Sequence, residues 1–203
     1  MGKFLFKKPK FAMKKLVYIL PLLLVLTSCE LVEELLNTSY STTFKESFDI
    51  QIPEGQYTQD SPFLILKEED IDLTDDEFPQ EVRTGVSELL DIQFQSVLLL
   101  FQGKTPDENE KAFENEGMIS GTIVFSNPDD PAQNVEVIVP PVSSLNTEPV
   151  SLPLPDNVAN SIAQLFFGSP RVQFIMNLQY VGPAPFEGEV SMEIPMEISL
   201  GLL

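Results

Sequence analysis

The sequence predicts a mainly β fold, an antiparallel β-sandwich of about seven strands with two short amphipathic helices. From residue 42 onward, most of the chain consists of short segments in which apolar and polar residues alternate, which is typical of strands with one buried face. Clusters of Pro, Gly, Asn and Asp separate these segments and favour turns. Many short strands joined by turns are typical of a sandwich rather than of a parallel sheet.

The alternation is clearest over residues 186–200, where apolar side chains occupy one phase and glutamates occupy much of the other. Pro195 lies on the polar phase and has no N–H to donate, so we expect it at a sheet edge or at a bulge. Residues 150–154 alternate between prolines and are predicted to form an edge strand or an extended connector. The predicted strands are 42–52, 63–66, 91–101, 117–126, 135–139, 150–154, 171–181 and 186–200.

Two segments carry apolar residues at positions i, i+4, i+7 and i+8, which form one face of a helix. The first segment, residues 82–90, follows residues that favour helix capping and is weakened by Gly85. The second segment, residues 157–167, has Asp156 as its predicted N-cap and Gly168 as its predicted end. We expect both helices to cover the ends or an open edge of the sandwich.

An acid-rich stretch, residues 67–77, is predicted to be an exposed loop that leads into the first helix. Asp70, Asp72, Asp75 and Asp76 form the best candidate metal site in the sequence. Calcium takes about six to eight oxygen ligands, and alternating acids can point two carboxylates the same way. The glycine and the spacing of an EF-hand loop are missing, so a solvated loop with helix-capping acids is the simpler interpretation.

Several residue types on which enzymes depend are missing. The sequence has no histidine, no tryptophan and a single cysteine. Zinc sites built from His and Cys are therefore excluded, and so are Ser-His-Asp and Cys-His triads. Carboxylate pairs remain, but among 31 acidic residues some pair meets any distance rule, so composition gives no support to glycosidase chemistry. The sequence predicts a protein that is not an enzyme and that has no cofactor.

Charge is divided unequally along the chain. Residues 1–28 contain six of the twelve basic residues and no acidic residue. The rest of the chain carries 31 acidic and six basic residues, a formal net charge of −25. Nucleic acid is excluded as a partner, because phosphates need a basic face. An acidic surface keeps a protein in solution and leaves divalent cations or basic protein surfaces as partners.

The N-terminal segment combines a basic leader with a short apolar run that leads to the cysteine. The apolar run spans residues 16–26, whereas a membrane-spanning helix needs about 20 residues. The run leads into Leu26-Thr27-Ser28-Cys29. This arrangement resembles the signal of bacterial lipoproteins, whose lipobox has Leu, two small residues and Cys in this order. The predicted domains are a signal peptide (1–28), a lipidated N-terminus and tether (29–41) and a β-sandwich domain (42–203).

The lipoprotein resemblance implies that the Cys29 thiol carries a diacylglycerol, that cleavage follows Ser28 and that the new amine is acylated. Leu26, Thr27 and Ser28 would be the residues that the signal peptidase recognises. Two or three acyl chains are sufficient for stable anchoring. The protein would then sit in a bacterial cell envelope, and Glu30 favours the outer membrane because many inner-membrane lipoproteins have Asp there. The face of the membrane and the start at Met1 or Met13 stay open.

Two functions are compatible with these features. The first is a structural or protein-interaction module, since the chain has an anchor and a core pattern but lacks catalytic residue types. The alternative is an envelope protein that binds a small ligand, namely lipid, glycan or calcium. Met176, Met192 and Met196 lie on the inward phases of the last two strands, where they either fill the core or line a lipid cavity.

Overall fold

Nine strands form two antiparallel sheets in the computed structural model, which describes residues 37–103 and 117–201. All packing discussed below lies within the unit Ser39–Gly201. The strands are β1 (Asn37–Ile52), β2 (Phe63–Asp72), β3 (Leu89–Phe94), β4 (Ser96–Gly103), β5 (Met118–Asn127), β6 (Asp130–Ser143), β7 (Val150–Pro153), β8 (Arg171–Val181) and β9 (Phe186–Gly201). The helices are α1 (Gln80–Gly85) and α2 (Asp156–Gly168), and a 3-10 turn (Val86–Glu88) follows α1.

The strand order is that of a jelly-roll sandwich. One sheet has the order β1-β9-β4-β7, with β3 also paired to β9, and the other has the order β2-β8-β5-β6. Strands distant in the chain are therefore neighbours, as two Greek keys require. The predicted antiparallel β-sandwich with two short helices is confirmed. The described residues contain nine strands rather than about seven, partly because one predicted strand is divided.

The predicted strand 91–101 is divided into β3 and β4, and Pro195 lies opposite the division. Phe94 pairs with Met196 and Leu98 pairs with Glu193, so three residues of one side face two residues of β9. Pro195 falls inside this interval and cannot donate a ladder hydrogen bond. The expectation that Pro195 marks an edge or a bulge is confirmed.

The acid-rich stretch was predicted as a loop, and most of it is strand. β2 continues six residues beyond the predicted end at residue 66, and it pairs with β8 from Phe63↔Tyr180 to Asp72↔Arg171. Ile65 and Ile71 point into the core with 9% and 0% exposure. The prediction was wrong because it rested on the acidic composition of this stretch and not on its alternation. The alternation continues through it, and β8 supplies polar partners for the acids.

Two other strands are longer than predicted. β1 begins at Asn37, inside the predicted tether 29–41. Polar residues can extend the strand because its pairing with β9 depends on backbone hydrogen bonds and not on apolar side chains. β6 continues to Ser143, past the predicted end at residue 139. Two of its three prolines, Pro140 and Pro141, lie between the pairs Ile119↔Val142 and Gly121↔Val139, at a bulge in an edge strand. Edges and bulges tolerate proline because no ladder donor is lost there.

The first helix is shorter than predicted. α1 ends at Gly85, and Leu89 and Leu90 belong to β3 instead of the helix. Glycine is a poor helix former, and the turn that follows redirects the chain into the sheet. The apolar spacing predicts one longer helix because Leu89 and Leu90, which begin β3, also fit the apolar face of the helix.

The second helix matches its prediction except at its first residue. Ile162, Leu165 and Phe166 are buried and the helix ends at Gly168, as predicted. Asp156 makes no side-chain cap, since the N-cap position belongs to Pro155. The Pro155 carbonyl accepts hydrogen bonds from the Val158 and Ala159 amides at 2.8 and 2.9 Å.

The core fills the space between the sheets with the inward residues of every long strand. Alternate residues of β8 from Val172 to Tyr180 are at most 1% exposed. Full burial of a large apolar side chain stabilises a fold by about 1.5–3 kcal/mol. The Tyr180 hydroxyl donates to the Pro183 carbonyl at 2.6 Å, and burial raises the pKa of Tyr180 to about 12. Tyr180 therefore stays protonated and keeps this donor at physiological pH.

Gly121 occupies a point where only glycine fits. Its φ is +149°, and a Cβ atom built there would lie 2.1 Å from the Asn177 carbonyl oxygen of the neighbouring strand β8. Both the backbone conformation and the close approach of the two strands exclude a side chain.

We expect Gly121→Ala to lower the free energy of unfolding by about 2 kcal/mol or more, because the strands must separate to admit the methyl group. Gly201→Ala is the control, since its Cβ would lie at an ordinary 3.6 Å from Leu90. Urea denaturation of both variants measures the difference. Equal stabilities for the two variants would contradict the assignment of Gly121.

Candidate functional site

The candidate metal residues are distributed along β2 and the turn after it. Asp70 forms an ion pair with Arg171 of β8, and Asp76 forms one with Arg83 of α1. Asp72 accepts hydrogen bonds from the amide and the hydroxyl of Thr74 at 2.9 and 2.6 Å. Each of these three carboxylates therefore has a partner within the chain.

The structure does not bring Asp70, Asp72, Asp75 and Asp76 together as a metal site. Within residues 37–103 and 117–201, no group of three or more acidic or other metal-ligating side chains could hold an ion. Calcium binding at these residues stays a prediction that the geometry does not support.

A charged cluster lies in the opening between β1 and β2. Lys67 points inward from β2, donates a hydrogen bond to Glu69 and lies 3.6 Å from a Glu46 carboxylate oxygen. Its ammonium group also lies 5.7 Å from the centre of the Phe48 ring. The hydrogen bond to Glu69 and the charges of Glu69 and Glu46 raise the pKa of Lys67. An inward charge on an edge strand discourages indiscriminate strand pairing.

The opposite side of the sandwich carries an apolar groove, which we call the β6–β7 groove. It has a volume of about 460 Å³ and lies between the edge strands β6 and β7, where α2 begins. Its walls are mostly apolar, with Glu136 and Ser151 as its polar members; the apolar residues include Val137, Ile138, Pro140, Leu152, Pro153, Leu154, Pro155 and Val158.

The prolines explain why the β6–β7 groove is apolar. Pro140 lies in β6, Pro153 ends β7 and Pro155 precedes α2, so three backbone positions in the walls have no N–H. Ile138 is 73% exposed at the rim. A groove with few backbone donors and an exposed aliphatic rim suits an apolar side chain or an acyl chain.

A second groove, the β1–β2 groove, has a volume of about 430 Å³ and lies between the other two edge strands. It is lined by residues 48–51 of β1 and 63–67 of β2, and neither strand contains proline. Leu64 and Leu66 beside it are 70% and 69% exposed. The backbone edges of β1 and β2 therefore contribute polar groups that the β6–β7 groove lacks.

The three inward methionines fill the core. Met176, Met192 and Met196 are at most 4% exposed and belong to the main hydrophobic cluster. Core packing explains them, and the grooves that could take a ligand lie at the sandwich edges instead. The sequence does not reveal either groove, because the two strands that form each groove are consecutive in the chain but belong to different sheets, and the packing of the sheets sets the gap between them. The only local signal was the series of prolines between residues 140 and 155.

The predicted lipidation residues lie outside the described part of the chain. These are Cys29 and the peptidase-recognition residues Leu26, Thr27 and Ser28. In the residues that the structure describes, no helix is long and apolar enough to cross a membrane.

No protein-family model and no curated protein matches this chain. Solved structures align with most of it at low identity. The decameric BFDV capsid protein is 10% identical over 79% of this chain and 99% of its own, with a TM-score of 0.42. Desmodium yellow mottle tymovirus aligns at 8% identity over 81% and 84%, with a TM-score of 0.28. Tobacco necrosis virus aligns at 12% identity over 78% and 95%, with a TM-score of 0.27. Scores this low carry no information about function.

We expect the stability of the sandwich to depend on pH through Glu77, which lies in the turn after β2. Partial burial and the nearby charges of Asp75 and Glu46 raise the pKa of Glu77 above its ordinary 4.5. An acid with a raised pKa in the folded state stabilises the fold while it is protonated, and that stabilisation is lost as the pH rises through the raised pKa.

We therefore expect Glu77→Gln to raise the melting temperature slightly at pH 7 and to leave it unchanged near pH 3. The gain is small because water screens a carboxylate at the surface. Glu187→Gln is the control, since it removes the same charge from an exposed position on β9. Thermal melts of both variants at the two pH values test this, and an equal gain from both variants would refute a specific role for Glu77.

Proposed function

We propose that this chain is a lipid-anchored protein of a bacterial cell envelope and that its sandwich is a protein-interaction module rather than an enzyme. The β6–β7 groove is the observation that carries the second part of the proposal. The groove combines an apolar lining with the 73% exposed Ile138 on a domain with a strongly acidic sequence, and contiguous apolar surface of this kind marks interaction sites. An apolar segment of another envelope protein would fill it and cover Ile138.

The anchor is supported by the order of the basic leader, the short apolar run and the lipobox. A net charge of −25 outside the leader would keep the domain away from anionic lipid headgroups. The lipid would therefore hold the domain near the membrane while its grooves stay accessible to partners. The outer membrane remains the favoured location.

A small-ligand binder is the second candidate, and the size of the β6–β7 groove favours it. A volume of about 460 Å³ lies within the roughly 300–1,000 Å³ that ligand pockets occupy. The apolar lining favours an acyl chain over a glycan or calcium. The two candidates differ in what contacts the groove in the native envelope.

The anchor is tested by Cys29→Ala, which removes the sulfur that would take the diacylglycerol. We expect the wild-type chain to incorporate labelled palmitate and to sediment with membranes, and the variant to lose both properties. Ser28→Ala is the matched control, because alanine is also small and preserves the lipobox pattern. A Cys29→Ala chain that is still labelled and still sediments with membranes would refute lipid anchoring.

The groove is tested by placing a photo-crosslinking amino acid at Ser151, which lines the β6–β7 groove, and at the 54% exposed Leu145 as a control. Irradiation of intact cells should give one discrete protein adduct from position 151 and none from position 145. Adding Ile138→Lys should remove that adduct. A lipid adduct instead would favour the second candidate, and equal labelling from both positions would contradict a specific site.

A further inference from the structure

The edge of β2 differs from the edges of β6 and β7 in a way that points to a second binding mode. Among the residues that the structure describes, β2 pairs only with β8, so one backbone edge of β2 takes no part in the sheet. β2 has ten residues and contains no proline. The edge strands β6 and β7 both contain proline, which discourages pairing with a further strand.

The outer face of β2 changes from apolar to acidic along its length. Leu64 and Leu66 are followed on the same face by Glu68 and Asp70. Glu68 accepts a hydrogen bond from the neutral Gln173, and Asp70 pairs with Arg171 but its Oδ1 atom has no hydrogen-bond partner among the described residues. In the sheet, residues directly opposite each other on one face interact most strongly. A strand that pairs with β2 would therefore gain by placing apolar residues beside the leucines and basic residues beside the acids.

We propose that the edge of β2 takes an added strand from a partner protein, an extended segment with two basic residues and then two apolar residues at alternate positions. Antiparallel pairing, which every strand pair of both sheets uses, would place the basic residues beside Asp70 and Glu68 and the apolar residues beside Leu66 and Leu64. The inward residues of the added strand would enter the β1–β2 groove. Strand addition gives affinity through backbone hydrogen bonds and specificity through alternate side chains.

A second copy of this chain is a poor occupant of the same edge. Two copies would each bring a net charge of −25 outside the leader. Antiparallel pairing centred on the middle of two β2 strands would also place Lys67 opposite Lys67, or Glu68 opposite Glu68. A basic partner meets neither difficulty.

The inward Lys67 does not block this mode. Glu46 and Glu69 already pair with its ammonium group, and Phe48 lies beneath it. The added strand therefore meets a neutralised cation at the middle of β2. The apolar residues from Phe63 to Leu66, which precede Lys67, have no inward charge of their own.

Two capped peptides of equal composition test the proposal on the full chain in detergent. The matching peptide is Lys-Thr-Lys-Thr-Leu-Thr-Leu, and the control is Lys-Thr-Leu-Thr-Lys-Thr-Leu, whose basic and apolar residues are interleaved. We expect the matching peptide to bind about tenfold more tightly by fluorescence anisotropy. We also expect it to slow hydrogen exchange in Phe63–Asp72 and to leave Asp130–Ser143 unchanged.

The variant Leu66→Lys should weaken the matching peptide about tenfold, while Ile138→Lys should change its affinity by less than about twofold. Both replacements add one positive charge at an equally exposed position, 69% and 73%. Equal binding of the two peptides, equal effects of the two variants or protection outside β2 would overturn the proposal. A dimer of the chain alone that Leu66→Lys abolishes would also overturn it, in favour of a second copy.

The groove and the edge can fail separately. The crosslink from position 151 depends on Ile138, and the peptide depends on Leu66. If the crosslink is absent, the proposal for the β2 edge is unaffected. If the peptide does not bind, the proposal for the β6–β7 groove is unaffected.

Discussion

The sandwich depends on the central position of β8 and β9. β8 lies between β2 and β5, and β9 lies between β1 on one side and β3 and β4 on the other. These two strands are consecutive in the chain and are joined by the short turn that contains Gly182 and Pro183. The two strands lie in different sheets, so one short connection supplies a central strand to each sheet. Of the 38 buried apolar residues of the described core, five belong to β8 and seven to β9.

The two open sides of the sandwich differ in their backbone donors and in their charged side chains. On one side, prolines remove backbone donors from β6 and β7, and α2 leaves an apolar groove beside them. On the other side, β1 and β2 keep their backbone donors, and the cluster of Lys67, Glu46 and Glu69 occupies the opening. One side is therefore suited to side-chain docking and the other to backbone pairing. This difference follows from where the prolines lie in the sequence.

The sequence predicts a strand correctly where every second residue is apolar. It does not predict a strand where charged residues interrupt that alternation. β8 and β9 match their predictions within one residue, because each inward position is apolar. The residues after 66 are predicted as a loop because four of the six residues 67–72 are acidic. The buried Ile71 shows that they continue the strand. Gln95 and Pro195 divide a predicted strand through a change of register, and register depends on the partner strand rather than on local sequence.

The same limit applies to the candidate sites. The alternating acids of β2 suggested a shared metal, but the strand turns Asp70 toward Arg171 of β8, a residue about a hundred positions away. Each groove forms between consecutive strands that belong to different sheets, and its width depends on how the sheets pack. The lipidation prediction is different from these, because it rests on a contiguous motif and does not depend on how the chain folds.

The order of the strands also sets when this sandwich can form. β9 is synthesised after all the other described strands, so β1 and β3 have no strand to pair with until residue 201 has emerged. Before that point β4 can pair with β7, and β5 can pair with β6 and β8, so only part of each sheet can form. The complete sandwich can therefore form only after the last strand has been synthesised.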